Sequence, residues 1–326
     1  MPKDDVEWPA PGTVLAERWR LCDEVIGRGA FSTVVSAMDS TNGDAVAVKL
    51  EPMSCTSGSL EREFIILKGL QTSKYAARVI EIFHDEAHGF RGIVMERLGP
   101  SYRKPPENGY SADDLLHFAD NAFRALNDLH SIGFVHRDVK PGNFCRGCPN
   151  RHSPDALFLV DFGLSFPIDP GNLQTGMFVG TKTYASVRAH EGLPVRPVDD
   201  FWSLLFTLVD IQSGGLPWTV SSTMQEILQS KLEWMSDPNA LSEDQHGYLA
   251  HVHRHLRSCG DKVDLQFVLD IIGSELGCSS LPVAVTEHAL GNNAQPTSGA
   301  SRPTTPPGSP PPLGRRYRQR IQIASI

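Results

Sequence analysis

The segment His136-Arg-Asp-Val-Lys-Pro-Gly-Asn-Phe144 decides the interpretation of this chain. A second cluster, Asp161-Phe-Gly163, begins eighteen positions after Asn143. The carboxylate of Asp138 can accept a proton from a hydroxyl group, and Asn143 and Asp161 carry the oxygen atoms that magnesium ions prefer. Alone, His-Arg-Asp is better explained as a solvated turn. The joint pattern is typical of enzymes that transfer phosphoryl groups.

Length and charge limit the classes of protein that fit. The 326 residues are enough for a two-lobed fold of roughly 280 residues around one cleft. The longest apolar run, 201–209, is too short to span a bilayer, so we expect no membrane span. The first twelve residues carry acids and prolines where a secretory signal needs basic and then apolar residues, so we expect a cytoplasmic protein.

The net charge of −8 is unevenly distributed along the chain. Residues 291–326 contain five Arg and no acid, which leaves a net charge of −13 on residues 1–290. An acidic body argues against nucleic acid as a partner.

The six cysteines are thinly scattered, which favours reduced thiols over a disulfide framework. Cys145 and Cys148, with His152 nearby, invite a zinc interpretation. A structural zinc site needs about four ligands, and no further pair follows at a suitable spacing. A small loop with two free thiols is therefore the favoured interpretation.

A glycine-rich loop and a lysine-ended strand lie near the N-terminus. Ile26-Gly-Arg-Gly-Ala-Phe-Ser-Thr-Val34 resembles a loop that covers phosphates, although two glycines in a hairpin are weak evidence alone. Val46-Ala-Val-Lys49 follows and strengthens it, because such a strand ends in a lysine that contacts phosphates. Without these neighbours, Lys49 would be read as a solvated lysine at the end of a strand.

A helix predicted over 59–70 offers two carboxylates to orient Lys49. Glu63 shares its face with apolar residues three, four and seven positions later, whereas Glu61 lies nearly opposite. We therefore expect Glu63 to point inward and Glu61 to be solvated.

Two strands are predicted over 77–84 and 90–96. Gly99-Pro100 follows the second strand and prevents it from continuing. We place a hinge at 96–100, with Met95 at the back of an adenine pocket. The capping-box pattern at Ser111 and Asp114 starts a helix that continues to His130. Residues 156–160 form a short buried strand before Asp161. A helix that is apolar on nearly every side begins at Asp199 and Asp200. We expect Asp200 to anchor the backbone of the loop that contains Asp138.

These motifs resemble the eukaryotic protein kinases, in particular the casein kinase 1 group and its tau-tubulin kinase branch. The narrower likeness is carried by Val94-Met-Glu-Arg-Leu-Gly-Pro-Ser101, by Gly180-Thr-Lys-Thr-Tyr-Ala-Ser-Val187 with His190, and by the span from Asp199 to Trp218. The opening Thr13-Val-Leu-Ala-Glu-Arg-Trp19 agrees with it.

The resemblance implies an α+β, two-lobed fold with a small β-rich lobe containing one main helix and a larger helical lobe. We expect a flexible arm over 1–13 and a kinase domain over 14–288. Within that domain the N-lobe ends at about residue 95, the hinge is 96–100 and the C-lobe is 101–288.

The resemblance also implies a Ser/Thr-directed kinase that uses ATP and magnesium on protein substrates, and we expect it to be a monomer. Asp138 would be the catalytic base, and Lys140 would stabilise the transferring phosphoryl group. Asn143 and Asp161 would hold magnesium. The expected nucleotide-binding residues are Ile26, Gly27, Gly29, Phe31, Ser32, Val34, Ala47, Lys49, Glu63, Met95, Glu96 and Leu98.

Three positions depart from the family pattern. Ser32 replaces the third glycine of the phosphate loop, which stiffens its tip. Thr183 stands where the casein kinase 1 group has an Arg that helps to read acidic substrates, so the sequence does not support that preference. Gly142, where the group has Asp or Ser, adds flexibility to the catalytic loop.

The final residues, 289–326, are rich in Pro, Ser, Thr and Gly, which predicts a disordered tail. Thr305 and Ser309, each before a proline, could accept phosphate, although a solvated tail is the simpler interpretation. The basic end, Arg315–Arg320, leaves open a nuclear-import patch, an anchoring segment or solvated charge, so a nuclear location beside the cytoplasmic one stays open.

Two functional hypotheses follow. The first is an active, constitutively competent kinase, because no chemical residue of the motif set is missing. The second is a pseudokinase scaffold that binds partners without efficient phosphoryl transfer, which the departures at Ser32 and Thr183 and the proline-rich tail support.

Overall fold

The computed structural model describes residues 6–29, 31–55, 58–103, 105–107, 109–168, 177–221 and 223–279. The predicted tail, 289–326, lies outside the described residues, as do the last positions of the predicted kinase domain.

Antiparallel strands in the order β1-β2-β3-β4-β6-β5 form the N-terminal sheet. The strands are β1 (Val14–Leu15), β2 (Trp19–Arg28), β3 (Thr33–Asp39), β4 (Ala45–Pro52), β5 (Val79–Asp85) and β6 (Phe90–Glu96). Successive side chains of a strand point to opposite faces. Val46, Val48 and Leu50 therefore pack into one hydrophobic cluster, while Ala47 and Lys49 face the other side of the sheet.

Residues 6–13, which belong to the predicted flexible arm 1–13, make contacts with the sheet. The ring of Trp8 lies 5.6 Å from that of Phe90, and Val6 and Trp8 pack against the cluster under the sheet. The Gly12 N–H donates to the carbonyl of Leu21 at 2.8 Å. Packing of the Trp8 ring offsets the entropy lost in ordering residues 6–13. The acids and prolines of this segment gave no indication of that packing.

Helix α1 (Ser59–Gly69) packs behind the sheet. Its buried side chains are Leu60, Glu63, Ile66 and Leu67, whereas Ile65 is 61% exposed. Glu63 therefore lies on the inner face, as predicted. The expectation that Glu61 is solvated is wrong, because Glu61 is half-buried and accepts a hydrogen bond from Arg91 Nη1 at 2.5 Å.

The rest of the described chain is mainly helical. Its helices are α2 (Ala112–Ser131), α3 (Val187–His190), α4 (Pro197–Ser213), α5 (Met224–Ser236), α6 (Glu243–His246), α7 (Tyr248–Ser258) and α8 (Leu265–Ser279). Helix α2 begins at the predicted capping box, in which Ser111 and Asp114 exchange side-chain-to-backbone hydrogen bonds. Residues 198–209 of α4 are all buried, as its apolar sequence predicts.

Two short antiparallel strand pairs follow α2 in the chain. Strand β7 (Phe134–Val135) pairs with β10 (Phe166–Pro167), and β8 (Phe144–Arg146) pairs with β9 (Leu157–Leu159). Between β6 and the helical part, residues 97–100 have no regular secondary structure. This β-rich part followed by a larger helical part confirms the predicted α+β, two-lobed fold class. None of the described helices has the length and apolar character that crossing a membrane requires.

Candidate active site

Buried Asp200 fixes the backbone of the loop that carries Asp138. Its carboxylate accepts the N–H of His136 at 2.7 Å and the N–H of Arg137 at 2.9 Å. It also lies 2.8 Å from Nε2 of His130 on α2. Arg137 has a φ of 70°, a left-handed conformation that is costly for a residue with a Cβ and must be held by its surroundings. The predicted anchoring role of Asp200 agrees with these contacts.

Three polar groups surround the carboxylate of Asp138. Lys140 Nζ donates to Oδ2 at 2.5 Å, and Thr181 Oγ1 donates to Oδ1 at 2.7 Å. Lys140 Nζ also donates to Thr181 Oγ1 at 3.3 Å, which closes a triangle. Asn143 Nδ2 donates to the main-chain carbonyl of Asp138 at 2.9 Å. The loop therefore holds a carboxylate beside a cation, with only 6% of the Asp138 residue exposed.

Asp161 is delivered to the same region by β9. It has a φ of 63° and stands just before Phe162, which is fully buried. Its carboxylate accepts from Lys49 Nζ at 2.8 Å, and the same amine donates to Glu63 at 2.5 Å. One lysine thus joins a strand, a helix and the Asp-Phe-Gly segment.

This cluster has a definite charge state. Burial alone would lower the pKa of Lys49, but the carboxylates of Glu63 and Asp161 outweigh burial and raise it. The positive charge of Lys49 in turn lowers the pKa of Asp161 to about 2. Lys49 is therefore protonated and Asp161 is ionised at neutral pH.

The glycine-rich loop lies at the end of β2 and the start of β3. Gly27 pairs with Val34, and the Gly29 N–H donates to the carbonyl of Ser32 at 2.8 Å. A Cβ on Gly29 would lie 2.8 Å from the hydroxyl of Ser32, so a larger residue here would require the serine side chain to rotate. Ile26 and Phe31 are 46% and 62% exposed, respectively.

The expected adenine-binding residues lie on neighbouring strands. Ala47 of β4 pairs with Met95 of β6, and Glu96 ends β6. The Glu96 side chain accepts the N–H of Arg78 at 2.6 Å, and its own N–H donates to the carbonyl of Arg78 at 2.9 Å. Leu98 follows in the irregular segment, where it is partly buried.

Cys145 and Cys148 of the β8–β9 hairpin are not arranged with His152 as a metal site. The Cys148 N–H donates to Nδ1 of His152 at 2.9 Å, so that nitrogen already has a partner. Burial raises the pKa of the Cys145 thiol to about 12, which keeps it neutral. No group of three or more His, Cys, Asp or Glu side chains within the described ranges is arranged to hold a metal ion.

The segment 180–187 was recognised in the sequence as a family feature, but the contact of Thr181 with Asp138 was missed. The only signal in the sequence was the glycine before Thr181. In the structure Gly180 has a φ of 109° and lies close to the carbonyl of Arg137. A Cβ on Gly180 would lie 2.5 Å from that oxygen.

Lys231 of α5 was also missed. It is fully buried, and its Nζ donates to the carbonyls of Lys182 and Ala185 at 2.8 and 2.6 Å. Burial lowers the pKa of Lys231 to about 7. Trp218 Nε1 donates to the carbonyl of Thr183 at 2.7 Å. These two side chains therefore hold the backbone of residues 182–185 in place. The local sequence of a helix does not distinguish such a buried lysine from a solvated one.

Comparison with known proteins agrees with this geometry. Residues 22–256 match the family model described as protein kinase domain. A Caenorhabditis elegans protein named as a casein kinase I is 30% identical over 277 residues, covering 79% of each chain. A Dictyostelium discoideum serine/threonine-protein kinase is 30% identical over 286 residues, covering 83% of this chain. The chain spans 56% of the length of the Dictyostelium protein.

The chain therefore belongs to the protein kinase family. It is a protein serine/threonine kinase, and protein kinases act on protein substrates. Kinases of this family generally use ATP and magnesium.

Proposed function

We propose that this chain is an ATP- and Mg-dependent Ser/Thr kinase of the casein kinase 1 group, closest to the tau-tubulin kinases. The observation that carries this proposal is the triangle of Asp138, Lys140 and Thr181 beside the ionised Asp161. Phosphoryl transfer requires a carboxylate for the acceptor hydroxyl and a cation for the developing charge, and the triangle supplies both.

Asp138 would accept the proton of the acceptor Ser or Thr hydroxyl as the hydroxyl oxygen bonds to the γ-phosphorus of ATP, while the bond from that phosphorus to the β–γ bridging oxygen breaks and ADP leaves. Thr181 Oγ1 and Lys140 Nζ each hold one of its carboxylate oxygens, so the carboxylate enters the reaction already oriented. Lys140 carries the positive charge that offsets the charge on the transferring group.

Lys49, oriented by Glu63, would bind the α- and β-phosphates of ATP. The backbone of Gly27 and Gly29, with Phe31 and Ser32 in the same loop, would cover the phosphates. Ile26, Val34, Ala47 and Met95 would supply apolar contacts to adenine, and Glu96 and Leu98 would offer it backbone groups.

The residues present fit a magnesium ion. Asp161 is ionised, because Lys49 lowers its pKa to about 2. The amide nitrogen of Asn143 donates within the loop, which leaves the amide oxygen as its ligand atom. Carboxylate and amide oxygens are the ligands that magnesium prefers, and the bound ion would neutralise phosphate charge.

Nucleotide binding distinguishes this function from the scaffold hypothesis. We expect Mg-ATP to raise the melting temperature of the full chain, and Lys49→Met to reduce that rise. The variant Lys68→Met is a matched control, because Lys68 lies at the exposed end of α1. A wild-type melting temperature that does not respond to Mg-ATP would favour the scaffold.

We also propose that the enzyme is competent without phosphorylation, because Lys49 and Glu63 are paired in the unmodified chain. Of the hydroxyls in the activation segment, residues 164–187, Ser165 is fully buried, and Thr175 lies outside the described residues. Phosphatase treatment should leave activity intact; its loss would contradict the proposal. A monomeric state and a cytoplasmic and nuclear location remain predictions of the sequence.

A further inference from the structure

The loop of the β8–β9 hairpin lies directly against the irregular segment that links the two lobes. We call residues 147–156 the hairpin loop. The Gly99 N–H donates to the carbonyl of Arg146 at 2.9 Å, and the Arg146 N–H donates to the carbonyl of Pro100 at 3.0 Å. A Cβ on Gly99 would lie 2.6 Å from the carbonyl oxygen of Gly147. The contact is therefore close enough to transmit a displacement of the hairpin loop to the linking segment.

His152 makes the side-chain contact between the two. Its Nε2 lies 3.2 Å from Oε2 of Glu96, and its ring packs edge-on against Phe158 at 4.8 Å. The side chains of His152 and Glu96 are only 17% and 12% exposed. Because Nδ1 accepts the N–H of Cys148, the ring proton resides on Nε2, which then donates to the carboxylate of Glu96. One neutral tautomer satisfies both nitrogens.

Glu96 is thereby held at both carboxylate oxygens. Oε1 accepts the N–H of Arg78, the residue just before β5, and Oε2 accepts from His152 of the hairpin loop. Glu96 is also the first of the residues expected to offer backbone groups to adenine. The orientation of its peptide groups depends on where this side chain is tied.

We propose that His152 is a positioning residue for nucleotide binding: it holds Glu96 and so sets the backbone that receives adenine. This inference rests on the proposed function, since it presumes that ATP binds along Glu96–Leu98. It assigns the hairpin loop to the adenine end of the cleft.

A purely structural role is the competing explanation, because His152 also folds its own loop through Cys148. Two substitutions separate the roles. In His152→Asn, the amide group stands near the position of Nδ1, so it can accept the Cys148 N–H but cannot reach Glu96. In His152→Gln, the amide reaches the position of Nε2 and can donate to Glu96, but the contact with Cys148 is lost.

The experiment measures KM for ATP, KM for a peptide substrate and kcat, together with the dissociation constant of adenosine, on the full chain. Adenosine carries no phosphates, so it reports the adenine end alone. His152→Ala and His152→Asn should each raise the ATP KM and the adenosine dissociation constant about five- to tenfold, the loss of one charge-assisted hydrogen bond. The peptide KM and kcat should change less than twofold, and His152→Gln should recover most of the loss.

Arg151→Ala is the matched control from the same loop. Its ion pair with Asp44 is exposed, with 3.6 Å between the charged atoms, so its loss should alter none of these constants. The proposal is overturned if Asn restores nucleotide affinity and Gln does not, or if Ala leaves the ATP KM unchanged in an active enzyme. A wild-type protein that binds no Mg-ATP would instead defeat the proposed function, and this inference with it.

Discussion

Replacement of Asp200 by Asn tests how the catalytic loop is held. The carboxylate of Asp200 is 1% exposed as a residue and accepts from His136 N–H, Arg137 N–H and, at 2.8 Å, Nε2 of His130. Burial by itself would raise the pKa of Asp200. The hydrogen bonds from His130 and His136 outweigh burial and lower that pKa. The group is therefore a buried anion satisfied by three donors.

An asparagine at this position has one acceptor oxygen where the aspartate has two. If its oxygen takes the place of Oδ2, its amide nitrogen faces the N–H of Arg137, so one of the three donors loses its acceptor and the other two no longer bond to a charged group. Each hydrogen bond to a buried charged group is worth about 1.5–3 kcal/mol, so the free energy of unfolding should fall by about 3–5 kcal/mol. In a domain of this size, 3 kcal/mol corresponds to a drop in melting temperature of about 6–12 °C.

Activity should fall as well. The left-handed backbone at Arg137 is held by these bonds, and a displacement of about 1 Å can cost about a hundredfold in rate. We therefore expect Asp200→Asn to lower kcat at least tenfold at a temperature where the variant is fully folded.

Asp210→Asn is the matched control for stability, because it makes the same change in the same helix. Asp210 accepts one hydrogen bond, from the hydroxyl of Tyr184 at 2.7 Å, and an asparagine oxygen can replace that acceptor. Its cost in unfolding free energy should stay below about 1 kcal/mol. Urea unfolding of both variants, followed by circular dichroism, checks the difference. Equal stability of the two variants would refute the anchoring role of Asp200.

Three further predictions concern single side chains. Thr181→Val, which removes the hydroxyl that donates to Asp138, should lower kcat/KM about ten- to a hundredfold in a peptide assay, and Thr181→Ser should restore most of it. Glu63→Gln should lower kcat/KM at least about tenfold, whereas Glu61→Gln should stay within about twofold, since Glu61 pairs with Arg91 and not with Lys49; equal effects would contradict the assignment. Burial lowers the pKa of His253 from 6.5 to about 4. Between these two pH values the imidazole of His253 binds a proton in the unfolded chain but not in the folded one. The free energy of unfolding should therefore fall by about 2–3 kcal/mol as the pH drops from 6.5 towards 4. His253→Phe should flatten that part of the plot of melting temperature against pH, and an unchanged slope would rule out this source of acid sensitivity.

Much of the fold and part of the site followed from spacing along the chain. Helical periodicity separated Glu63 from Glu61, because residues three, four and seven positions apart share a face. Strand alternation likewise separates Lys49 from Val48. The capping box at Ser111 fixed the start of a helix from two residues alone. These features are local, so a single sequence reveals them.

The features that the sequence did not reveal depend on contacts between distant segments. Trp8 is ordered by Phe90, 82 positions later, and nothing beside Trp8 indicates that partner. His152 meets Glu96 only because the hairpin loop folds over the linking segment. Lys231 reads as a solvated helix residue until α5 packs beneath the segment that contains Lys182. Tertiary packing determines each of these roles, and no local periodicity reports it.

Phosphate transfer by wild type and by Asp138→Asn tests the central claim most directly. The full chain is incubated with Mg-ATP labelled in the γ-phosphate and a panel of Ser/Thr peptides, and the labelled residue is identified after acid hydrolysis. The account predicts label on Ser or Thr with the wild type, and a fall of at least about a hundredfold with the variant, which keeps the shape of the side chain but loses the base. Transfer by the variant at the wild-type rate, or no transfer by either protein, would contradict it.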